Sequence, residues 1–274
     1  MRINIASKKI EDNTILSNVS LYISQGERIM ISGPSGCGKS LLLSLIRGDK
    51  KFQGNIEFDL GEQLRYIPQG LALNTQIPMF KSVRNAAWRN NMSFWEAQKE
   101  AENYLSLFSM DNPDQYRTKI ENLSGGQQRR VMCAQKLCGH AQYTTILADE
   151  LDSGLDSNTA TVIFQNLARA SRKYNHTLIA ISHNNEEDIW ASFTRLILLG
   201  RSEEAGYTVA YDGSPDDVAE HFCGISCRES SKLLGLLKLP PSLRNERMHE
   251  ILKNGMNENE LFAAYFDEPV IRSA

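Results

Sequence analysis

The chain has 274 residues, of which 41% are hydrophobic and 23% are charged, and its formal net charge is −3 at pH 7. This length suits one large domain, or one domain with an appendage, and the weak negative charge argues against nonspecific binding to nucleic acid or anionic lipid. The longest apolar stretches are far shorter than the roughly 18 residues that a membrane-spanning helix needs, and the first residues lack a signal-peptide pattern.

The first elements, over residues 2–32, are predicted to be β strands. Between Val19 and Ser24 apolar residues alternate with mostly polar ones, which is typical of a strand with one buried face. The apolar run from Arg28 to Ser32 closes this part of the chain and leads directly into a glycine-rich loop.

Residues 33–40 have the sequence GPSGCGKS, which fits the phosphate-binding pattern G-x-x-x-x-G-K-[ST]. The glycines allow consecutive backbone N–H groups to point at phosphate oxygens, and a helix that begins near Lys39 aims its positive end at them. We expect Lys39 to reach the β- and γ-phosphates of a nucleotide and the Ser40 hydroxyl to ligate Mg²⁺. The predicted nucleotide-binding residues of this loop are Gly33, Pro34, Ser35, Gly36, Cys37, Gly38, Lys39, Ser40 and Leu41.

Strand and helix patterns alternate along the rest of the chain. Predicted strands lie at residues 55–58, 65–67, 146–148, 177–182 and 195–199, and predicted helical regions lie at 40–46, 93–140 and 158–174. Ser93 begins the second region with Glu96 in the position of a capping box. Such alternation predicts a parallel sheet covered by helices. The predicted fold class is therefore α/β, with an antiparallel β part at the N-terminus and a helical insert between Gln69 and Ser124.

Two further motifs follow the insert. Residues 123–130 have the sequence LSGGQQRR, and the apolar strand before Asp149 ends in two acids, Asp149 and Glu150. A carboxylate at the end of a buried strand can hold Mg²⁺, and the next acid can polarise an attacking water as general base. Ser124 and the two glycines after it also suit a simple helix cap.

These motifs, in this order, resemble those of the ATP-binding cassette (ABC) family of ATPases, from residue 2 to about 222. The resemblance implies a P-loop NTPase (RecA-like) core within a domain over residues 1–227. It also implies a helical ABC-specific subdomain over about residues 70–124. Residues 228–274 would form a C-terminal helical extension, for which packing is the default role.

The resemblance also implies roles for single residues. The catalytic residues would be Glu150, His183 and Gln69; the Mg²⁺ ligands would be Ser40, Gln69 and Asp149; and the signature segment and D-loop would contribute Ser124, Gly125, Gly126, Gln127 and Asp156 to ATP binding. The signature segment (residues 123–127, LSGGQ) would bind the γ-phosphate held on a second subunit. The D-loop (residues 153–156) would communicate between the two cassettes.

Three positions depart from the usual pattern of the family. Leu151 stands where most members have proline, and we expect a small change in the turn rather than lost chemistry. No aromatic residue lies near Ile10 to stack on adenine, so a weak preference for ATP over GTP is expected. Leu41 replaces a common threonine, which removes a possible hydroxyl contact to the α-phosphate.

The function expected from the resemblance is the ATPase subunit of an ABC transporter. Its partners would be a transmembrane permease and a second ABC ATPase subunit, identical or paralogous, at the cytoplasmic face of the membrane, with no direct nucleic-acid contact. The hairpin at 206–215 and the segment 218–222 favour export. A mechanochemical ABC protein acting on DNA or ribosomes is the alternative, although the short interval from Lys39 to Ser124 excludes the split, coiled-coil form. A third possibility is a cassette that binds ATP only as a structural switch.

Other side chains have more than one interpretation. Apolar residues that follow Gln69, the glutamine of the family's Q-loop by resemblance, would either receive a permease helix or fill the subdomain core. For most of them the core is favoured: Leu71, Ala72, Leu73, Ile77, Met79, Phe80 and Trp88. His221, Cys223 and Cys227 are candidate metal ligands, although free thiols in a reducing compartment are favoured. Cys37, near a helix N-terminus, is either reactive or, more simply, space-filling.

Overall fold

The computed structural model describes residues 1–90, 92–139, 144–182, 187–202 and 205–217. The strands within these ranges are β1 (Arg2–Ile10), β2 (Asn13–Tyr22), β3 (Arg28–Ser32), β4 (Gln53–Glu57), β5 (Gln63–Ile67), β6 (Thr144–Asp149), β7 (Thr177–Ile181), β8 (Arg195–Arg201) and β9 (Tyr207–Gly213). The helices are α1 (Lys39–Ile46), α2 (Met79–Trp88), α3 (Phe94–Leu107), α4 (Gly125–Leu137), α5 (Ser157–Tyr174) and α6 (Glu187–Trp190).

The chain forms two compact units. Unit 1 consists of Met1–Ile23, Ile29–Phe58 and the described residues after 185, and unit 2 consists of Ser24–Arg28 and the described residues from Asp59 to Ser182. The glycine-rich loop therefore belongs to unit 1, whereas the acid pair and the signature segment belong to unit 2.

In unit 1 the strands lie in the order β4-β1-β2-β9-β8-β3. Strand β1 pairs antiparallel with both β2 and β4, so that Arg2 lies opposite Tyr22 on one side and Glu57 on the other. Alternate residues such as Ile3 and Ile5 are buried, as the period of a half-buried strand requires. This pairing confirms the antiparallel β part expected at the N-terminus.

Helix α1 follows the glycine-rich loop and buries one apolar face. The buried residues of this helix are Lys39, Leu42, Leu43, Leu45 and Ile46. Leu41, which follows the exposed Ser40, is half-exposed. The helix predicted at residues 40–46 is therefore confirmed, with Leu41 at the edge of its buried face.

In unit 2 the strands lie in the order β7-β6-β5, and all pair parallel. Strand β6 is buried at each of its six residues, which suits the apolar run Ile146–Ala148 before the final acid. Helix α5 begins at the N-cap Asp156 and ends at Asn175, a C-cap in the left-handed conformation. Parallel strands joined through helices are the α/β arrangement that the sequence predicted.

The helical part of unit 2 contains one helix that the sequence analysis missed. Helix α3 has the expected capping box between Ser93 and Glu96, but α2 begins after Pro78 without a side-chain cap. Residues 108–124, inside the stretch predicted to be helical, contain only two short 3-10 turns, Pro113–Gln115 and Ile120–Asn122.

The apolar residues proposed either to receive a permease helix or to fill the core differ in burial. Met79 is fully buried and belongs to the core, whereas Trp88 and Leu71 are 62% and 39% exposed. No helix in the described ranges is long and apolar enough to cross a membrane. The metal candidates His221, Cys223 and Cys227, the segment 218–222 and the extension 228–274 lie outside the described residues.

Candidate functional site

The glycine-rich loop turns back on itself through two glycines in the left-handed conformation. Gly36 and Gly38 have φ angles of 79° and 96°, in the left-handed region that favours glycine. A Cβ atom on Gly38 would lie only 3.0–3.1 Å from the side chains of Leu16 and Ile15. The curled backbone that a phosphate cradle needs is thus built by residues 33–38.

The Lys39 side chain bonds the backbone of this loop. Its Nζ donates hydrogen bonds to the backbone carbonyls of Gly33 (2.9 Å) and Pro34 (2.7 Å), and the residue is buried. The ammonium group therefore lies within the curl of the loop, while Ser35 and Ser40 are exposed at its rim. A buried cation inside a ring of backbone groups is suited to holding an anion.

Cys37 fills space beneath the same loop. Its side chain is fully buried, and burial raises the pKa of the thiol despite the nearby Lys39, which lowers it. A thiol with a raised pKa is mostly protonated and a poor nucleophile at neutral pH. Burial of the side chain and the raised pKa argue against a reactive Cys37 thiol and favour the space-filling role.

The two acids lie at the carboxyl end of β6. Asp149 is 7% exposed, and one of its oxygens accepts a hydrogen bond from the Tyr66 hydroxyl on β5 at 2.9 Å. Glu150 adopts a left-handed backbone with φ of 45°, which costs a non-glycine residue about 1–2 kcal/mol. Two backbone hydrogen bonds hold it there: its N–H donates to the Ile181 carbonyl at the end of β7, and the Ser153 N–H donates to its own carbonyl across a turn, each at 3.1 Å.

Gln69 lies against the second acid. Its Nε2 donates to Glu150 Oε2 at 3.0 Å and lies 3.2 Å from Ser153 Oγ. The structure thus brings together two predicted catalytic residues that are 81 positions apart in the sequence. The third, His183, lies outside the described residues.

The signature segment forms the start of helix α4. Ser124 is the N-cap: its hydroxyl accepts from the Gln127 N–H at 3.3 Å, and the Gln127 side chain accepts from the Ser124 N–H at 3.0 Å. Gln127 is therefore part of a capping box. Ser124 and Gly125 are exposed, so the cap leaves a helix N-terminus that can face an anion.

Gly126 differs from its neighbour Gly125. A Cβ atom on Gly126 would lie 2.4 Å from Cγ2 of Thr159 on helix α5, whereas a Cβ on Gly125 would meet nothing within 4 Å. The second glycine of the motif is thus required because two helices approach each other closely. The sequence analysis assigned it to nucleotide binding or to a helix cap, and neither role accounts for this close approach.

The D-loop ends at Asp156, whose carboxylate is engaged within its own helix. Its two oxygens accept from the Thr159 N–H at 2.9 Å and from the Thr159 hydroxyl at 2.7 Å, and these bonds lower the pKa of Asp156. Leu151, at the position where the family usually has proline, is fully buried. Asp156 therefore caps α5, and its contact with nucleotide stays a prediction.

Sequence reasoning missed four residues that hold these groups in place: Tyr66, Arg129, Ser153 and Thr159. Each acts through a contact with a segment that is distant in the sequence or through the packing of two helices. The one local signal was the position of Tyr66 in the strand that leads to Gln69.

Comparison with known proteins identifies the family. The family model described as "ABC transporter" matches residues 16–152, half of the chain. The chain is 26% identical over 272 residues to the spermidine/putrescine import ATP-binding protein PotA of Clostridium acetobutylicum, covering 93% of this chain and 74% of PotA. It is 33% identical over 211 residues to the zinc import ATP-binding protein ZnuC of Roseobacter denitrificans, covering 75% of each.

The fold agrees with these sequence matches. The dimeric, post-hydrolysis structure of the ATP-binding cassette MJ0796 bound to ADP and Pi aligns with a TM-score of 0.60 and 26% identity, covering 78% of this chain and 97% of that one. The predicted α/β P-loop NTPase fold is therefore confirmed. The chain belongs to the ABC transporter family and is an ATP-binding ATPase of the kind that powers transport.

Proposed function

We propose that this chain is the ATP-hydrolysing subunit of a membrane transporter, and that it acts as one of two subunits bridged by ATP beneath a separate permease. The observation that carries the proposal is the contact between Gln69 Nε2 and Glu150 Oε2 at 3.0 Å, directly after Asp149 at the end of a buried strand. This arrangement supplies a general base and a group that orients it, which a cassette that only binds ATP does not need.

Residues of the loop are assigned to phosphate binding. The Lys39 ammonium, now on the Gly33 and Pro34 carbonyls, would transfer its hydrogen bonds to the β- and γ-phosphates. The amides of the curled loop and the N-terminus of α1 would donate to the remaining phosphate oxygens. Gly33, Ser35, Cys37 and Leu41 contribute backbone or packing to this cradle.

The residues present also fit Mg²⁺. Ser40 offers a hydroxyl, Asp149 a carboxylate and Gln69 an amide oxygen, which are the hard oxygen ligands that this ion prefers. Such an ion would be held by one carboxylate together with the substrate phosphates. When bound, Mg²⁺ would neutralise charge on the β- and γ-phosphates.

The chemical step is assigned to Glu150. Its carboxylate would accept a proton from the attacking water, while the Gln69 amide keeps that carboxylate in a fixed direction. The Tyr66 hydroxyl fixes the direction of Asp149 in the same way. His183 is proposed to contact the γ-phosphate, on the basis of its resemblance to the family's histidine alone.

The exposed N-terminus of α4 is proposed to act on the ATP of a second subunit. Ser124 and Gly125 are exposed, so their hydroxyl and amide groups are accessible to an anion. The relative MJ0796 is dimeric in its ADP-bound structure, which supports pairing. An isolated subunit should accordingly hydrolyse ATP slowly.

The permease, the location at the cytoplasmic face and the direction of transport belong to this proposal. Both relatives named above are import proteins, so they support transport without supporting the export that the hairpin at 206–215 favoured. Strands β8 and β9 do form an antiparallel pair there. Export therefore stays a prediction that rests on this hairpin, and the substrate is determined by the permease.

The experiment that tests the proposal is a purification of tagged Glu150→Gln from its native cells in mild detergent with ATP. Loss of the base should leave ATP bound without hydrolysis, and proteins that bind the ATP-bound form should stay attached. A membrane protein with several spans should co-purify, and it should be lost with Lys39→Ala, the matched variant that cannot hold phosphate. Ribosomes, DNA or soluble proteins alone would contradict the transporter assignment.

A further inference from the structure

Arg129, on the second turn of α4, contacts two separate segments of unit 2. Its Nη1 donates to the backbone carbonyl of Gln69, and its Nη2 donates to the backbone carbonyl of Ser153 at 3.2 Å. We call this arrangement the carbonyl clamp: the Arg129 guanidinium and the carbonyls of Gln69 and Ser153. The Arg129 side chain is half-buried, whereas Gln69 and Ser153 are exposed, so these bonds lie at the surface and gain their strength from the charge of the guanidinium.

The carbonyl clamp holds the two residues that flank the proposed base. The side chain of Gln69 donates to Glu150 Oε2 at 3.0 Å and lies 3.2 Å from Ser153 Oγ. The Ser153 N–H also bonds the Glu150 carbonyl at 3.1 Å. Gln69 and Ser153 are therefore fixed to each other twice, through their side chains and through Arg129, and Glu150 lies between these contacts.

A planar guanidinium is suited to this task. Its two terminal nitrogens diverge in a fixed plane, so one group can bond two carbonyls that belong to different segments. A lysine ammonium is a single point charge on a flexible stem, and it cannot reproduce the fork. The other contact shown between Gln69 and Ser153 is the exposed Gln69 side-chain amide, 3.2 Å from Ser153 Oγ, so loss of the clamp should loosen the loop at Gln69.

We propose that Arg129 is a positioning residue for hydrolysis: the carbonyl clamp keeps the Gln69 amide directed at the Glu150 carboxylate. The inference rests on the roles proposed above for Gln69 and Glu150. In this proposal Arg129 acts on turnover through Gln69, whose carbonyl it bonds, rather than through the nucleotide or the attacking water. Substitution should therefore lower kcat and leave the KM for ATP almost unchanged.

The first test does not involve hydrolysis. Hydrogen exchange of the nucleotide-free full chain, followed by mass spectrometry, should show about tenfold faster exchange in peptides covering residues 69–72 and 151–155 of Arg129→Gln, because charged hydrogen bonds are lost. Arg129→Lys should restore protection to one of the two peptides at most. Unchanged exchange in Arg129→Gln, or full protection in Arg129→Lys, would overturn the carbonyl clamp.

Arg169→Gln is the matched control. Arg169 also donates from a terminal nitrogen to a backbone carbonyl, that of Leu107 at 2.6 Å, but it touches neither Gln69 nor Ser153. Its substitution should leave exchange of both peptides and the value of kcat within twofold of the unmodified chain. If removing any arginine–carbonyl bond destabilised the whole unit, Arg169→Gln would also speed exchange of both peptides.

The second test is a double-mutant cycle on kcat. Arg129→Gln should lower kcat about tenfold alone, and less than twofold in the background of Gln69→Ala, because the group it positions is then absent. Additive effects would show that Arg129 acts by another route. If Gln69→Ala alone leaves kcat intact, the role proposed for Gln69 fails, whereas the exchange result stands independently.

Discussion

The close approach of α4 and α5 makes Gly126 a sensitive position. In Gly126→Ala the new methyl group would lie 2.4 Å from Thr159 Cγ2, far inside the 3.5–4.0 Å at which carbon atoms attract one another. Thr159 cannot turn aside cheaply, because a β-branched side chain in a helix is stiff and its hydroxyl is bonded to Asp156 at 2.7 Å. The helices must separate, or the cap of α5 must break.

The expected cost follows from either outcome. Overpacking by one methyl group destabilises proteins by roughly 1–3 kcal/mol, and loss of an N-cap costs about 1 kcal/mol. At roughly 2–4 °C per kcal/mol for a chain of this size, a cost of about 2 kcal/mol should lower the Tm of Gly126→Ala by roughly 4–8 °C. Gly125→Ala, whose methyl group meets open space, should change the Tm by less than about 2 °C.

The assay is thermal unfolding of the nucleotide-free chain, followed by circular dichroism for Gly126→Ala, Gly125→Ala and the double variant Gly126→Ala/Thr159→Ser. Serine removes Cγ2 and keeps the hydroxyl that Asp156 accepts from, so most of the lost stability should return. Equal Tm values for the two alanine variants, or no recovery with serine, would refute the steric explanation.

Three other outcomes are expected. His176 is buried, burial lowers its pKa from 6.5 to about 4, and neither ring nitrogen has a hydrogen-bond partner among the described residues. As the pH falls, His176 takes up a proton in the unfolded chain before it does so in the folded chain. The free energy of unfolding that is present above pH 6.5 is therefore lost as the pH falls towards 4. Urea unfolding should show about 2 kcal/mol lost between pH 7.5 and 5, and His176→Phe should abolish that loss; an unchanged pH dependence would contradict it. Tyr66→Phe removes the 2.9 Å bond to Asp149 and should raise the Mg²⁺ concentration for half-maximal hydrolysis about tenfold. A Mg²⁺ titration of ATPase activity measures this midpoint, and an unchanged midpoint would refute the role of Tyr66. Glu150→Gln should keep ATP binding, lose turnover and elute as a dimer with ATP in size-exclusion chromatography; a monomer under saturating ATP would count against the shared site.

Short sequence patterns predicted those parts of the site whose residues are neighbours in the sequence. The loop around Lys39 was predictable because its glycines and its helix are adjacent in sequence, and the capping boxes at Ser93 and Ser124 have a fixed three-residue spacing. The acid pair was predictable because an apolar strand precedes it. Helix α2 was missed because it begins at Pro78 without a polar cap, so no start signal was present.

The contacts that organise the site could not be predicted in this way. Gln69 meets Glu150 across 81 positions, and Arg129 meets Gln69 across 60. These pairs depend on how β5, β6 and α4 pack, and no short window of sequence contains both partners. Family resemblance supplied a role for Gln69, but not for Arg129 or Tyr66.

The two glycines of the signature segment show how a motif can combine two physical requirements. Gly125 has open space beside it and an exposed position at the end of a helix, so its backbone is available to a ligand. Gly126 has no space, because Thr159 lies where its side chain would be. Loss of hydrolysis in a Gly126 variant would therefore not by itself report a phosphate contact, since the same change displaces α5 and the D-loop that begins it. Only activity measured in the Thr159→Ser background separates the two causes: if stability returns and hydrolysis does not, the Gly126 backbone has a direct role in binding ATP.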